Sequence, residues 1–92
     1  MIKSFRHKGL RRFYSDDDSS GIDASQKVRI GMILDRLEAS RAIIDMNIPG
    51  YRLHRLKGDR KDIWSVNVSG NWRITFRFEN EDAYDLNLED YH

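Results

Sequence analysis

The sequence predicts an α+β domain, with helices packed on one face of a small, mainly antiparallel sheet. Apolar residues recur at helical spacing between residues 24 and 46, whereas residues 51–92 alternate apolar and polar side chains in strand-like runs. A short strand is also predicted at residues 1–5. Because helices and strands come in separate blocks, we expect two to three helices on one face and an open opposite face. A chain of 92 residues suffices for one such domain, spanning residues 1–92.

The predicted helices precede the only proline of the chain. Residues 6–14 place apolar side chains at helical spacing among basic ones, which is typical of a short amphipathic helix. Asp23 followed by Gln26 resembles a capping box and predicts the start of a longer helix. A shorter helical piece is predicted at residues 42–46. The longer helix carries an apolar stripe at i, i+3, i+4 and i+7, formed by Ile30, Ile33, Leu34 and Leu37.

Residues 64–78 form the clearest motif, a β-hairpin whose arms alternate aromatic or β-branched residues with polar ones. Residues 69–71 between the arms supply turn chemistry. If Trp72 pairs with Val68, one face of the hairpin is apolar throughout and Trp72 lies in the core. This register requires a three-residue loop, with Asn71 in a left-handed conformation.

The sheet face opposite the helices, called here the open face, is predicted to be polar. A strand entering a basic loop at residues 51–60 and a last strand at residues 83–92 complete the sheet. The last strand is predicted with Tyr84, Leu86 and Leu88 inward. Strict alternation then places Asp90 on the apolar side, and a bulge near Glu89 is needed to turn the following residues to the open face. The open face of the hairpin presents Ser65, Asn67, Arg73, Thr75 and Arg77.

Charge is segregated along the chain, although the net charge is only +1. Residues 1–14 hold five basic and no acidic residues, and residues 51–78 hold seven basic against two acidic ones. Residues 15–23 and 79–92 hold four and six acidic residues respectively, and no basic one. This pattern favours a basic surface for an anion such as RNA. An acidic tail that lies across the basic strands and neutralises them explains the pattern equally well.

Several classes of function are disfavoured by composition. The absence of cysteine excludes a disulfide framework and a thiolate metal site. The acidic run at residues 16–18 lacks the ligand spacing of a calcium loop and is interpreted as a solvated turn, so we expect neither a metal nor a cofactor. With no hydrophobic run of signal-peptide or membrane-spanning length, we expect a cytoplasmic protein with no membrane partner.

Side chains suited to RNA cleavage converge on the open face in this arrangement. His54 and Arg73 both point to it, Lys57 lies in the loop after His54, and His92 closes the last strand. Cleavage of an RNA backbone needs a base for the 2′-hydroxyl, an acid for the leaving 5′-oxygen and cations for the phosphorane. Histidine suits the proton transfers, and lysine and arginine suit the phosphate. On composition alone, however, three histidines in a small basic domain are mostly surface residues.

Four segments of the chain carry a recognisable combination of residues. They read Tyr-Arg-Leu-His-Arg-Leu-Lys-Gly-Asp-Arg at 51–60, Trp-Ser-Val-Asn-Val at 64–68, Asn-Trp-Arg-Ile-Thr-Phe at 71–76 and Asp-Tyr-His at 90–92. Together they resemble the HigB branch of the RelE-type bacterial toxins. The likeness extends to residues 1–5, whereas the helical region matches only in pattern.

The resemblance implies a toxin of a type II toxin–antitoxin system that cleaves mRNA in the ribosomal A site and thereby inhibits translation. It also implies a helix-turn-helix, HigA-like antitoxin as partner, with operator DNA contacted only through that antitoxin. By matching position, the implied catalytic residues are His54, Lys57, Arg73, Asp90, Tyr91 and His92. Basic residues of the same strands and loop are expected to contact RNA or the ribosome, namely Arg52, Arg55, Arg60, Lys61 and Arg77.

Two alternatives of other classes remain open at this point. One is a non-enzymatic inhibitor on the same fold, resembling the ParE-type toxins that poison DNA gyrase. A binding poison has no need of His54, His92 and a phosphate clamp together, so these residues favour the nuclease. The other alternative is a plain adaptor domain that uses the basic face for binding.

Overall fold

Two α-helices pack against a four-stranded antiparallel sheet, which confirms the predicted α+β class. The computed structural model describes residues 1–90. The helices are α1 (Lys8–Asp16) and α2 (Lys27–Ala39). The strands are β1 (His54–Arg55), β2 (Ile63–Ser69), β3 (Trp72–Glu79) and β4 (Asp82–Asp90), in the spatial order β1-β2-β3-β4. Short 3₁₀ turns lie at Ala24–Gln26, Ile43–Met46 and Gly58–Arg60.

The apolar stripe of α2 forms the centre of the core, as predicted. Its four residues, Ile30, Ile33, Leu34 and Leu37, are all buried. The start of this helical region differs from a capping box. Asp23 accepts a hydrogen bond from the backbone N–H of Ser25 at 2.8 Å, whereas the side-chain amide of Gln26 donates to the hydroxyl of Ser69 at 3.0 Å. Gln26 therefore joins the helix to the hairpin instead of capping the helix.

Helix α1 begins at Lys8, two residues later than the predicted start at residue 6. His7 is its N-cap, because Nδ1 of His7 accepts from the backbone N–H of Leu10 at 3.1 Å. Burial and the nearby charge of Arg12 lower the pKa of His7, which favours the neutral ring that a hydrogen-bond acceptor requires. Neither helix of the described part of the chain has the length and apolar character needed to cross a bilayer.

The segment at residues 1–5 extends the sheet beyond β4, although it is not a regular strand. Ile2 pairs with Ala83 and Phe5 with Leu86 as isolated parallel bridges. The backbone N–H of Lys3 donates to the carbonyl oxygen of Ala83 at 2.8 Å. The outer edge of β4 is therefore covered by the start of the chain, and the sheet is mainly, but not wholly, antiparallel in its pairing.

The central hairpin has the predicted register away from its turn. Val66 lies opposite Ile74, and Trp64 lies opposite Phe76. Val66, Ile74 and Phe76 are fully buried against the helices, and Trp64 is half-buried at the edge of the same cluster. Because opposed residues share a face, this register also fixes the polar residues between them on the open face.

The turn of the hairpin differs from the prediction. Ser69, not Val68, pairs with Trp72, and a register shift at Val68 marks a β-bulge. The loop is the two-residue turn Gly70-Asn71, in which Gly70 has the left-handed conformation (φ +55°) that was expected at Asn71. Trp72 lies at the end of the hairpin and is 39% exposed, so its predicted place in the core is wrong. The bulge removes the apolar cross-strand neighbour that the expected register had supplied.

Strand β4 contains a second bulge, at Asp85. Between the pairs Thr75–Asn87 and Arg77–Tyr84, β4 has one residue more than β3. Asp85 has φ +58°, a left-handed conformation that is uncommon outside glycine but tolerated by aspartate. The sequence offers no glycine here to indicate the irregularity.

The bulge decides which side chains of β4 face the helices. Leu86 and Leu88 remain on the core side, as predicted. Tyr84, which was predicted to point inward, lies on the open face, where the guanidinium of Arg77 stacks on its ring at 4.5 Å. The bulge at Asp85 is not the one expected near Glu89, because the pairing of β4 is regular from Asn87 to Asp90, the last described residue.

Candidate active site

Two adjacent rows of polar side chains cross the open face. Directly opposed residues of an antiparallel sheet share a face, so the register alone assigns each row. The first row runs across all four strands and the second across the last three. The first row contains His54, Ser65, Thr75 and Asn87, and the second contains Asn67, Arg73 and Glu89.

A cavity of about 220 Å³ opens between these rows. Among the residues that line it are His54 from β1 and Arg73 from β3. The structure thus brings together two of the predicted catalytic residues, one suited to proton transfer and one to phosphate binding. Its full lining is Arg52, His54, Ser65, Asn67 and Arg73.

One ring nitrogen of His54 is assigned by its neighbour. Nδ1 of His54 lies 2.9 Å from the carbonyl oxygen of Arg52. A carbonyl oxygen only accepts hydrogen bonds, so Nδ1 carries the proton of the neutral ring. Nε2 is then the nitrogen with a free lone pair, and it can take up a proton from a substrate. Arg52 itself has a left-handed backbone (φ +52°), which aims its carbonyl group at the imidazole two residues later.

Glu89 is a charged side chain at the centre of the open face that the sequence argument did not include among the candidate site residues. Its carboxylate accepts two hydrogen bonds from Arg60, at 3.0 and 2.5 Å, and one from the hydroxyl of Thr75 at 2.8 Å. Arg73 Nη2 lies 3.6 Å from the other carboxylate oxygen, Oε1. The alternation of Leu86 and Leu88 with polar neighbours is the sequence signal that places residue 89 on the open face.

The donors around Glu89 stabilise its charged form. The hydrogen bond from Arg60, followed by that from Thr75 and the charges of Arg60 and Arg73, outweighs burial and lowers the pKa of Glu89 to about 2. In return, Glu89 raises the pKa of Arg60. Arg60, expected to contact RNA, therefore has both terminal nitrogens on a carboxylate of its own chain.

Acidic residues of β3 and β4 also neutralise a second arginine. Arg77 Nη1 lies 2.6 Å from Glu79 Oε1, and its Nε lies 3.6 Å from Asp85 Oδ2. Together with Glu89, these contacts support the interpretation that the acidic end of the chain lies across the basic strands. Arg55 lies 3.8 Å from Asp62. Further exposed basic residues on this side of the molecule are Arg52 in the cavity lining and Lys57 and Lys61 in the following loop.

The other predicted catalytic residues in the described part of the chain, Lys57 and Asp90, do not line the cavity. Lys57 is exposed and immediately precedes the turn Gly58–Arg60, outside the lining of the cavity. Asp90 is exposed and faces Trp72 across the strands, so the register places it outside the row of Arg73. Tyr91 and His92 lie outside the described residues. Within residues 1–90, no three His, Cys, Asp or Glu side chains are grouped so as to hold a metal ion.

The chain is similar to known proteins over nearly its whole length. The sequence model of the HigB-like toxins, described as the RelE-like toxin of type II toxin–antitoxin system HigB, matches residues 3–92. The chain is 49% identical to Endoribonuclease HigB of Proteus vulgaris over 92 residues, with both chains covered completely. It is 32% identical over 80 residues to Toxin HigB-1 of Vibrio cholerae serotype O1, covering 85% of this chain and 84% of that one.

These relatives decide between the classes left open by the sequence. The matching family and both relatives are HigB toxins, so the alternative of a ParE-like gyrase poison is not supported. The family model covers nearly the whole chain, including the helical region where the residue pattern alone was weak. This protein belongs to the HigB family of RelE-like toxins of type II toxin–antitoxin systems.

Proposed function

We propose that this toxin is a ribosome-dependent endoribonuclease that cleaves mRNA in the ribosomal A site and so inhibits translation. The observation that carries the proposal is the shared cavity of His54 and Arg73, which places a proton acceptor beside a phosphate-binding cation. The name of the Proteus vulgaris relative, Endoribonuclease HigB, supports RNA cleavage as the activity.

The proposed reaction is an attack of the ribose 2′-oxygen on the adjacent phosphorus. Nε2 of His54 takes the proton of the 2′-hydroxyl, the 2′-oxygen bonds to phosphorus, and the bond to the 5′-oxygen breaks. The products are a 2′,3′-cyclic phosphate and a 5′-hydroxyl end. Arg73 and Lys57 stabilise the charge that develops on the phosphorane, and preorganised cations of this kind contribute strongly to such reactions.

We assign the general acid to the segment Asp90-Tyr91-His92. His92 protonates the leaving 5′-oxygen, since histidine is the side chain of this segment that is best suited to donate a proton near neutral pH. The assignment rests on the resemblance and on the chemistry of the residue types. It complements the geometry of His54, whose Nδ1 contact with Arg52 leaves Nε2 as a base.

The ribosome supplies orientation in this proposal. Several cations of the open face are already paired with carboxylates, and the cavity offers few aromatic platforms for stacking bases, so free RNA should bind weakly. Holding the mRNA against the site converts a bimolecular step into an effectively unimolecular one. Residues proposed to contact mRNA or ribosomal RNA are Arg52, Arg55, Arg60, Lys61 and Arg77.

The experiment compares one mRNA in two settings, free and bound in the A site of programmed ribosomes. Cleavage should occur only on the ribosome and should leave a 5′-hydroxyl end, with Arg73→Ala as the inactive control. Equal cleavage of naked and ribosome-bound mRNA would refute the dependence on the ribosome. A lack of cleavage in both, with normal binding to ribosomes, would refute the nuclease itself.

As a member of a toxin–antitoxin family, the protein acts with an antitoxin. We propose that this antitoxin is a HigA-like helix-turn-helix protein, that it alone contacts operator DNA, and that the toxin works in the cytoplasm. Co-expression with the product of the neighbouring reading frame should restore growth and yield a stable complex. Growth arrest that persists despite high levels of that product would contradict the pairing.

A further inference from the structure

We propose that Glu89 is a positioning residue that holds the two phosphate-binding cations of the site in a fixed relation, Arg73 directly and Lys57 through Arg60. The inference rests on the proposed nuclease function and adds to it a residue outside the predicted catalytic set. Glu89 lies where the two cationic elements meet. Its partner on β3 is Arg73, and its partner on the loop is Arg60.

The loop at residues 56–62 is held at its base and at its tip. At the base, the backbone N–H of Leu56 donates to the carbonyl oxygen of Ile63 at 2.8 Å. At the tip, Arg60 ends the short turn Gly58–Arg60 and binds the carboxylate of Glu89 with both terminal nitrogens. A bidentate pair fixes orientation as well as distance. Lys57 immediately precedes this turn, so its backbone position follows that of Arg60.

The same carboxylate also reaches the sheet. Thr75 donates to Glu89 at 2.8 Å, and Arg73 Nη2 lies 3.6 Å from Glu89 Oε1. The side chains of Glu89 and Arg73 are only 19% and 13% exposed, so solvent screens this pair little. The carboxylate of Glu89 therefore fixes both the side chain of Arg73 on β3 and the loop that carries Lys57.

A role for Glu89 as the catalytic base is disfavoured by the same contacts. Donors occupy both oxygens of its carboxylate, and its pKa is lowered to about 2. Proton transfer is most effective when the pKa of the base lies near the working pH, so such a group is a poor proton acceptor. A fixed negative charge is instead well suited to orienting cations.

The competing interpretation is that Arg60 serves only as a positive charge for RNA and that Glu89 merely neutralises this charge. The variant Glu89→Gln separates the two, because it keeps the size of the side chain and removes one negative charge from the open face. If charge alone matters, ribosome binding should tighten and the cleavage rate at saturation should not fall. If Glu89 positions the cations, the saturating cleavage rate should fall by about tenfold or more. The ribosome concentration that gives half of this rate should stay the same or fall.

A double-mutant cycle tests the path through Arg60. Arg60→Met should lower the saturating cleavage rate by about tenfold in the wild-type background but by less than about twofold when Lys57→Met is already present. Arg60→Lys, which keeps one charged donor but not the bidentate geometry, should restore part of the loss. Arg41→Met, which removes an exposed positive charge outside the site, is the matched control and should cleave normally.

Hydrogen exchange of the free protein gives a readout that needs no ribosome. Arg60→Met should speed exchange of the amide of Lys61, which donates to the carbonyl oxygen of Gly58, by about tenfold, with exchange in β2 and β3 unchanged. Unchanged loop exchange, or additive losses in the cycle, would overturn the inference while leaving the nuclease intact. Failure of the wild-type protein to cleave on ribosomes would instead overturn the proposed function, and this inference with it.

Discussion

The hydroxyl of Ser4 accepts a hydrogen bond from the backbone N–H of Asp85 at 2.9 Å and lies 3.3 Å from the carboxylate of the same residue. Asp85 is the left-handed residue of the β4 bulge. A side chain from the start of the chain thus satisfies the backbone group that the bulge leaves without a partner in β3. Because the bulge sets the facing of Tyr84, this contact helps to define the open face.

Ser4→Ala should therefore lower the free energy of unfolding by about 1 kcal/mol, because the amide of Asp85 loses its acceptor in a partly buried place. A urea titration measures the change. Ser15→Ala, at an exposed position of α1, is the control and should alter stability by no more than about 0.5 kcal/mol. Equal effects at the two serines would show that the bulge does not depend on Ser4.

The hairpin gives a prediction about two aromatic residues of β3. Phe76 is fully buried, whereas Trp72 is 39% exposed at the hairpin end. Phe76→Ala should cost roughly 3 to 5 kcal/mol because it leaves a cavity in the core. Trp72→Ala should cost about 1 kcal/mol or less. Guanidinium titrations of both variants measure the change in the free energy of unfolding. A larger decrease for Trp72→Ala than for Phe76→Ala would contradict the turn register.

The lowered pKa of Glu89 predicts how the stability of the protein depends on pH. Its pKa in the folded protein is lowered from 4.5 to about 2, so the ionised carboxylate stabilises the fold above the ordinary pKa. This stabilisation, up to about 3 kcal/mol, should disappear as the pH falls from about 4.5 to about 2. The difference in unfolding free energy between wild type and Glu89→Gln should shrink over that interval. A difference that stays constant would place the effect of Glu89 in packing, not in charge.

His54→Gln tests the proposed base. The side chain is exposed, so stability should hardly change, whereas single-turnover cleavage on programmed ribosomes should fall by roughly two to four orders of magnitude. His7→Gln provides the opposite control: it removes the cap of α1 and costs about 1 kcal/mol of stability, but should cleave at the wild-type rate.

His92→Gln tests the proposed acid. The substitution keeps size and hydrogen bonding but removes proton transfer near neutral pH. Folding and antitoxin binding should persist, while single-turnover cleavage should fall by roughly two orders of magnitude or more. If the variant cleaves at the wild-type rate across the pH range, the acid must be sought at His54, Asp90 or Tyr91.

Three features could be predicted from the sequence alone, namely the fold class, the apolar stripe of α2 and the hairpin register away from its turn. Each of these depends on a periodicity that short-range sterics impose on helices and strands, and so each can be read from neighbouring residues. The same alternation placed His54 and Arg73 on one face, where the structure has them around one cavity. The family could likewise be recognised from local segments, because their residues are adjacent in the chain.

The positions at which the alternation of inward and outward side chains breaks, and the pairs of charged residues that come into contact, depend on the packing of the folded chain. The bulge at Asp85 contains no glycine and is supported by Ser4, a residue 81 positions away. The carboxylate of Glu89 meets Arg60, which is 29 positions away. Such pairings depend on how distant segments pack, since local propensity is weak compared with the contacts that burial and charge provide. For this reason the strand segments could be predicted from the sequence, whereas the facing of Tyr84, the exposure of Trp72 and the contacts of Glu89 required the folded chain.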